Sequence, residues 1–237
     1  MSMKKLIAIL FILAVVTGVA AQPRTGLPRP DLEAIRVASL DEDSPYYYPR
    51  LLAEFMRNDT TMNDVDFQYF YYGTFFQEDY DPYRPVGNPD QLAVLAPLFS
   101  KTTWTRSERK QILDFAMSVL EDNPVNLRQL TNRIFVYQQN GKNDLAKIWQ
   151  YKLNKLLKVI ASSGTGLTPE NAWVVVYPHD EYDFLNLSGI TAREQEFVAP
   201  YYDHILINRK DDKQPEGYYF DIEEILKQYF IKHPSEI

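Results

Sequence analysis

One short polar segment concentrates side chains that could do chemistry. Residues 179–183 read His-Asp-Glu-Tyr-Asp and directly follow an apolar run. An imidazole beside several carboxylates could hold a hard cation or run acid–base chemistry, with His179, Glu181 and Asp183 as the reacting groups. The alternative is a solvated strand-to-helix turn, in which acidic side chains favour the N-terminus of the following helix. We favour the solvated turn, since the other two histidines are distant in sequence.

Tyrosines supply a second candidate surface. Between residues 46 and 83 the chain has eight tyrosines and five phenylalanines. A tyrosine ring has an apolar body and a polar tip, so an exposed group could stack on sugars or form a protein-binding face. The alternative is that the rings fill the seams between short helices, with their hydroxyls in solvent. The candidate binding residues are Tyr46, Tyr47, Tyr48, Tyr71, Tyr72 and Tyr83.

Other catalytic centres lack the residues they would need. The chain has no cysteine and three histidines, so it has neither a thiol nucleophile nor a thiolate metal site, and we expect no metal and no cofactor. No local pattern places a serine or threonine beside a base. The Gly164-Thr165-Gly166 segment follows a helical pattern, so we interpret Gly164 as a left-handed helix cap and not as part of a phosphate loop. An enzymatic activity is therefore uncertain, and we lean against one.

The N-terminal segment predicts export. Two lysines precede an apolar run over 6–16 and small residues that end at Ala21, which are the three parts of a signal peptide. We predict cleavage after Ala21, which removes 1–21 and leaves 22–237 as a single globular domain in the periplasm or outside the cell. We expect no membrane anchor after cleavage. The net charge of −7 argues against nucleic acid and anionic membranes as partners.

Helical periodicity dominates residues 22–163. Apolar residues recur at steps of three and four between 105 and 163 and predict three helices in antiparallel hairpins. The second of these helices is predicted to start with Asn123 as its cap and Pro124 in its first turn, and to end at Gly141. Further helices are predicted over 32–39, from Ser44-Pro45 onward and over 63–73, with a loop over 77–90.

The period changes in the segment 164–237. Residues 172–177 are apolar throughout, which is typical of a strand buried on both faces. Two more β-prone runs, over 201–207 and 217–220, are separated by a long polar loop. Capping-box patterns at Thr191 and at Asp221 each predict a helix start. We therefore predict an α+β fold, with a mainly helical first part followed by a small, mainly antiparallel sheet with short helices.

Part of the helical region resembles a tetratricopeptide repeat. Tyr137, Gly141 and Ala146 have the spacing Tyr-x3-Gly-x4-Ala of that motif, and Pro124 stands where the preceding repeat would close. Ile134 departs from the small residue expected on the first helix, and no tandem copy follows at the repeat length. The resemblance implies tetratricopeptide-like hairpins without a full superhelix.

Six short segments spread over the chain carry a second resemblance. They are Ser44–Pro49, Asn58–Thr61, Tyr71–Gly73 with Phe76-Gln77, Asp81–Tyr83, Gly164–Gly166 and Glu181-Tyr182. In these segments the chain resembles a group of exported Bacteroidetes proteins, the domain-of-unknown-function family numbered 4919. The resemblance implies a compartment and a fold, and it assigns no functional residue.

Two functions remain open from the sequence. The first is a binding or scaffolding protein of the cell envelope or secreted space, with an unknown protein or glycan partner. The second is a carboxylate-dependent hydrolase with its site near His179 and Glu181. A buried, convergent arrangement of His179, Glu181 and Asp183 would favour the hydrolase, whereas side chains splayed into solvent would favour the binding protein.

Overall fold

A computed structural model describes residues 28–236. The predicted signal peptide and its cleavage after Ala21 lie outside the described residues. The described chain is built from nine α-helices and one four-stranded sheet. The helices are α1 (Leu32–Leu40), α2 (Tyr48–Met56), α3 (Asp64–Gly73), α4 (Pro89–Phe99), α5 (Arg106–Asp122), α6 (Leu127–Gln139), α7 (Asn143–Ser162), α8 (Pro178–Leu187) and α9 (Glu223–Lys232).

The sheet contains β1 (Trp173–Val174), β2 (Ala192–Val198), β3 (Tyr202–Ile207) and β4 (Gly217–Asp221) in the order β1-β4-β3-β2. The β2–β3 and β3–β4 pairs are antiparallel, and the short β1 strand runs parallel to β4. The prediction of an α+β fold with a mainly antiparallel sheet is thus confirmed, with one parallel pair that makes the sheet mixed.

Several local signals act as the sequence predicts. The Asn63 side chain accepts from the backbone N–H of Asp66 at 3.2 Å, and the Asp66 carboxylate accepts from the Asn63 N–H at 2.8 Å, which closes a capping box at the start of α3. Gly141 ends α6 with a φ of +72°, a conformation that only glycine adopts without strain. Helices α5, α6 and α7 pack in sequence order through short connections.

Two predicted helix starts are wrong by a few residues. Ser44 does not open α2, because the N–H groups of Tyr46 and Tyr47 bond back to its hydroxyl and carbonyl oxygens and close a separate turn. The helix begins at Tyr48 instead. Asn123 likewise does not cap α6, since its N–H still bonds to Val119 at the end of α5. Asn126 caps α6.

Other expectations fail because tertiary contacts override local pattern. Thr191 opens no helix, since the residues that follow it pair with β3 as strand β2. Gly164 is not in the left-handed region; a side chain there would put its Cβ 2.3 Å from the carbonyl oxygen of Asn171. The buried run 172–177 forms regular strand only over Trp173–Val174. The predicted loop over 77–90 ends at Asn88, which caps the unpredicted helix α4.

Most of the core lies between the helices and one face of the sheet. The main cluster joins α2, α3, α6 and α7 to the sheet and α8, while a second, smaller cluster lies between α4 and α5. Trp149 of α7 is fully buried at the centre of the first cluster, edge-on to Phe55 of α2 at 5.7 Å. Within the described part of the chain, every helix is too short or too polar to cross a membrane.

Candidate functional site

The acidic segment lies at the start of α8 and points inward. Asp180 and Glu181 are fully buried and Asp183 is 5% exposed, so the expectation of a solvated turn is wrong. The apolar run over 172–177 carries the chain through the interior, and α8 then begins at Pro178 before the chain returns to the surface. The first turn of α8 is consequently packed inside the protein, where ionised carboxylates are costly unless they are paired.

Asp180 is fully buried and bonded to a tyrosine hydroxyl. Its Oδ2 accepts a hydrogen bond of 2.7 Å from the Tyr71 hydroxyl on α3. Burial, reinforced by the nearby Asp183 carboxyl and only partly offset by the Tyr71 hydrogen bond, raises the pKa of Asp180 well above its usual range. Its other oxygen, Oδ1, has no hydrogen-bond partner among the described residues and lies 3.7 Å from Nε2 of His179.

Glu181 forms a pair with a second buried acid, Asp203 of β3. Neither Glu181 oxygen receives a hydrogen bond from an amide, hydroxyl or cationic group in the described chain. Burial raises the pKa of Glu181 well above its usual range, and the nearby charge of Asp203 raises it further. The folded protein therefore binds the Glu181 proton more tightly than water does. Asp203 was not predicted as a site residue, because nothing in its own segment marks it.

Asp183 and His179 form hydrogen bonds with residues of α6 and of the connection before it. Arg128 of α6 donates to Asp183 Oδ1 from Nε at 3.0 Å and from Nη2 at 2.6 Å. Nδ2 of Asn126 donates to Nε2 of His179 at 3.1 Å, since the Asn126 oxygen already accepts from the Gln129 N–H as the cap of α6. The His179 proton therefore sits on Nδ1. Burial and the nearby Arg128 charge lower the pKa of His179 to about 4, so the ring is neutral at pH 7.

Glu181 and Asp183 are buried and His179 is half-buried, but the three side chains do not converge. No hydrogen bond or ion pair joins His179, Glu181 and Asp183 to one another among the described residues. The structure instead brings together Asp180, Glu181 and Asp203 as an interior acid cluster. Within the part of the chain that the structure describes, no group of three or more histidines and carboxylates is arranged to hold a metal ion.

A cleft opens next to His179. Its volume is about 280 Å³, and His179 and Tyr177 form part of its wall. The other walls come from the start of α2, the loop over 77–87 and the α5–α6 connection over 121–126. Four distant segments thus meet there, which is why no motif in the sequence could predict the cleft.

Two polar groups in this cleft are left without partners. Tyr177 is only 8% exposed, and no hydrogen bond is made by its hydroxyl within the described chain. Asn123 Oδ1, at the α5–α6 connection, is a buried acceptor with no donor in the same residues. Burial raises the pKa of Tyr177 above its usual range, so its hydroxyl remains protonated. Both groups border the cleft, and a ligand there could pair with them.

The predicted tyrosine surface does not exist as one face. Tyr71 and Tyr72 are fully buried and cannot touch a partner; their hydroxyls donate internally, to Asp180 and to the Val174 carbonyl at 3.2 Å. Tyr48 is 7% exposed and presents only an edge to the cleft, while its hydroxyl is 3.3 Å from that of Thr74. The hydroxyls of these buried rings are bonded internally and do not reach solvent.

The remaining three tyrosines are accessible but separate. Tyr46 is half-buried and stacks on Tyr69 at 4.0 Å between ring centres, and Tyr47 is half-buried beside it. Tyr83 is half-exposed and packs edge-on against Tyr229 of α9 at 5.0 Å. These three rings could contribute to a surface, and nothing in their contacts tests that role.

The C-terminal helix holds one wall of the cleft in place. The ammonium group of Lys232 donates to the carbonyl oxygens of Glu78 at 2.7 Å and Tyr80, and more weakly to that of Gln77 at 3.4 Å. Arg84 donates from Nη2 to the Asp79 carbonyl at 2.6 Å in the same loop. Because a loop has few backbone partners of its own, these contacts set its position.

We expect Lys232→Met to loosen this loop without unfolding the protein. Loss of the charge-assisted bonds should speed amide hydrogen exchange over 78–87 by about tenfold, equivalent to ~1.4 kcal/mol of local stability. Lys227→Met on the same helix is the matched control, since among the described residues Lys227 forms its ion pair with Glu224 of its own helix. Equal exchange rates in the two variants would show that Lys232 does not position the loop.

Together these features define a class of protein: an α+β domain in which a small polar cleft lies beside a buried cluster of acidic side chains. Residues 33–230 match the family described as Domain of unknown function (DUF4919), and the chain belongs to that family. The predicted membership is confirmed, whereas the link to Bacteroidetes, export and the tetratricopeptide likeness stay predictions. No curated protein and no solved structure matches the chain.

Proposed function

We propose that this protein works outside the cytoplasm as a binding protein, and that it takes a monosaccharide-sized polar ligand in the cleft beside His179. The observation that carries the proposal is the pair of unpartnered groups in the cleft, the Tyr177 hydroxyl and Asn123 Oδ1. Of the two, Asn123 Oδ1 is a buried acceptor without a donor, which costs about 1–3 kcal/mol. A ligand that pairs with both groups recovers that free energy on binding.

The size and lining of the cleft support a small ligand. A volume of about 280 Å³ is at the lower end of the range for small-molecule sites. Its lining combines aromatic edges from Tyr48, Tyr80 and Tyr177 with polar side chains, as a ligand with both apolar and hydroxyl-bearing faces requires. The apolar run and small residues of segment 1–21 support the exported location.

A hydrolase at the same place is the second candidate. The 3.7 Å approach of Asp180 Oδ1 to His179 Nε2 favours it, since perturbed acids beside an imidazole are common in active sites. Three observations weigh against it. His179 Nε2 already accepts a hydrogen bond from Asn126. A pKa of about 4 makes the imidazole a weak base at pH 7. The Thr74 hydroxyl in the cleft is not free to act as a nucleophile, because it donates to the Phe70 carbonyl at 3.3 Å.

Amide NMR titration with glucose, glucosamine and glucuronate tests the binding proposal. We expect at least one of these probes to shift resonances from 77–87, 121–126 and 177–179. Leu52→Trp, which places a large ring in the cleft, should abolish those shifts. If no probe, charged or neutral, moves a resonance of these segments, the proposal fails.

Tyr177→Phe gives the test a characteristic pair of effects. Loss of the hydroxyl should weaken ligand binding about tenfold, while the free protein keeps its stability because this hydroxyl makes no hydrogen bond within the described chain. Tyr83→Phe is the control, since Tyr83 is half-exposed and lies outside the cleft lining. A variant that lost stability and binding together would indicate a structural role for the Tyr177 hydroxyl.

A further inference from the structure

We propose, resting on the function above, that the cleft recognises a ligand that carries a protonated amino group. The proposal stands on the charges that border the cleft and on the acceptors left open inside it. The surrounding carboxylates make the cleft negative, and the buried acceptor atom can accept a hydrogen bond from the ligand.

The cleft has an excess of negative charge. Four carboxylates line it, and Arg84 is the single cation among its lining residues. The four are Asp79, Asp81, Glu121 and Asp122. None of them takes part in an ion pair within the described residues, although Asp81 Oδ1 accepts from the Tyr83 N–H at 3.0 Å. A concave surface bordered by one sign of charge concentrates its field and attracts the opposite charge.

Two neighbouring cations, Arg84 and Lys232, reduce the charge of the four carboxylates but do not cancel it. Arg84 is turned to the backbone, where its Nη2 donates to the Asp79 carbonyl oxygen. His179 contributes no positive charge at pH 7, because burial and the nearby Arg128 lower its pKa to about 4. The cleft therefore remains negative through the neutral range, which opposes an anionic ligand and favours a cation.

The open hydrogen-bonding groups are acceptors, as an ammonium group requires. Asn123 Oδ1 is buried and lacks a donor, and the Tyr177 oxygen can accept as well as donate. Asp79 lies close enough to Tyr177 for its charge to raise the pKa of that hydroxyl. An ammonium group has three N–H donors, whereas a ligand hydroxyl has one. An ammonium group therefore brings more donors to these acceptors than a single neutral hydroxyl does.

The experiment compares cationic and neutral probes of the same shape. Glucosamine and glucose form one pair, ethanolamine and ethylene glycol a second, and each is titrated into the full chain at about pH 6, where the amines are protonated and His179 is neutral. We expect each amine to bind at least about tenfold more tightly than its neutral counterpart. Added salt should weaken only the amines.

Two isosteric substitutions separate the cleft from the overall charge of the protein. Asp79→Asn should reduce the affinity for glucosamine about tenfold and leave that for glucose unchanged. Asp212→Asn removes the same charge from the exposed β3–β4 loop and should change neither affinity.

The outcomes distinguish this inference from the function on which it rests. Equal binding of the amines and their neutral counterparts overturns the amino-group proposal and leaves the binding protein standing. Equal losses in the Asp79 and Asp212 variants also overturn it, because they indicate a long-range charge effect. If no probe shifts a cleft resonance, the binding function and this inference fail together.

Discussion

Replacing Trp149 by alanine is expected to destabilise the fold more than any other single truncation considered for this protein, by at least about 3–5 kcal/mol. The ring is fully buried where α7 meets α2 and α6, and it lies edge-on to Phe55 at 5.7 Å. Its Nε1 donates to Asn58 Oδ1 at 3.1 Å and ties the α2–α3 connection to α7. Alanine leaves a cavity in this place and an acceptor without its donor.

The loss should exceed the cavity cost because two buried cations lie against the same ring. The Arg133 guanidinium is 3.5 Å from the ring centre and the Lys152 ammonium 4.6 Å, and both side chains are at least 95% buried. Arg133 Nη1 has no acceptor among the described residues. The indole face is therefore an important source of electrostatic stabilisation for Arg133, and such contacts contribute about 2 kcal/mol when desolvated.

Urea denaturation followed by circular dichroism measures the effect. Trp149→Phe keeps an aromatic face and should lose clearly less stability than the alanine variant. Phe197→Ala, at a side chain on β2 that is 59% exposed, should stay within about 0.5 kcal/mol of the unsubstituted protein. A near-neutral midpoint shift for the alanine variant would contradict the central place of Trp149 in the core.

The sequence predicts α5 and α7 well because their stability depends on one repeating pattern. Ile112 and Phe115 in α5, and Trp149 and Leu153 in α7, recur at the helical period, and all four are buried. The same argument fails at Thr191. A capping box offers a few local hydrogen bonds there, whereas strand β2 gains a whole ladder of bonds with β3. Local pattern decides only where no larger set of contacts competes with it.

The acid cluster could be located from the sequence but not characterised. Residues 179–183 are conspicuous because they are polar, and polarity alone favours an exposed turn. Their burial depends on partners far away in the chain, such as Tyr71, which bonds to Asp180 across 109 positions. Asp203 lies near Glu181 in the fold, but it belongs to strand β3, whose sequence pattern shows only that the segment is β-prone. A single sequence contains no signal that links these positions.

The raised pKa of the buried Glu181 leads to a second large effect, on the pH dependence of stability. The pKa of Glu181 in the folded protein is raised above its ordinary value of 4.5. Between these two values the folded state keeps a proton that the unfolded state releases. Stability from this group is therefore fully present below the ordinary value and is lost as pH rises through the folded pKa.

Glu181→Gln should flatten this loss. Glutamine is neutral at every pH, so the variant has no proton to lose at this position. As the pH rises from the ordinary value of 4.5 towards the folded pKa, we expect the unsubstituted protein to lose stability by up to about 1.4 kcal/mol per pH unit more than the variant. Asp180, whose pKa is also raised by burial, titrates in both proteins and leaves a residual slope. The variant should thus become progressively more stable relative to the unsubstituted protein as the pH rises.

Comparison with the variant separates Glu181 from His179, which titrates in both proteins. His179 has the opposite sign: its folded pKa of about 4 lies below its ordinary 6.5, so its contribution is present above 6.5 and lost only as pH falls towards 4. Urea midpoints at several pH values measure the slopes, with Glu194→Gln on the exposed face of β2 as the control. Parallel slopes for the Glu181 variant and the unsubstituted protein would mean that Glu181 is ionised in the fold. The start of α8, which carries His179 to the cleft, would then need a buried cation to balance that charge, and the only cation bonded to this acidic segment in the described chain, Arg128, is engaged by Asp183.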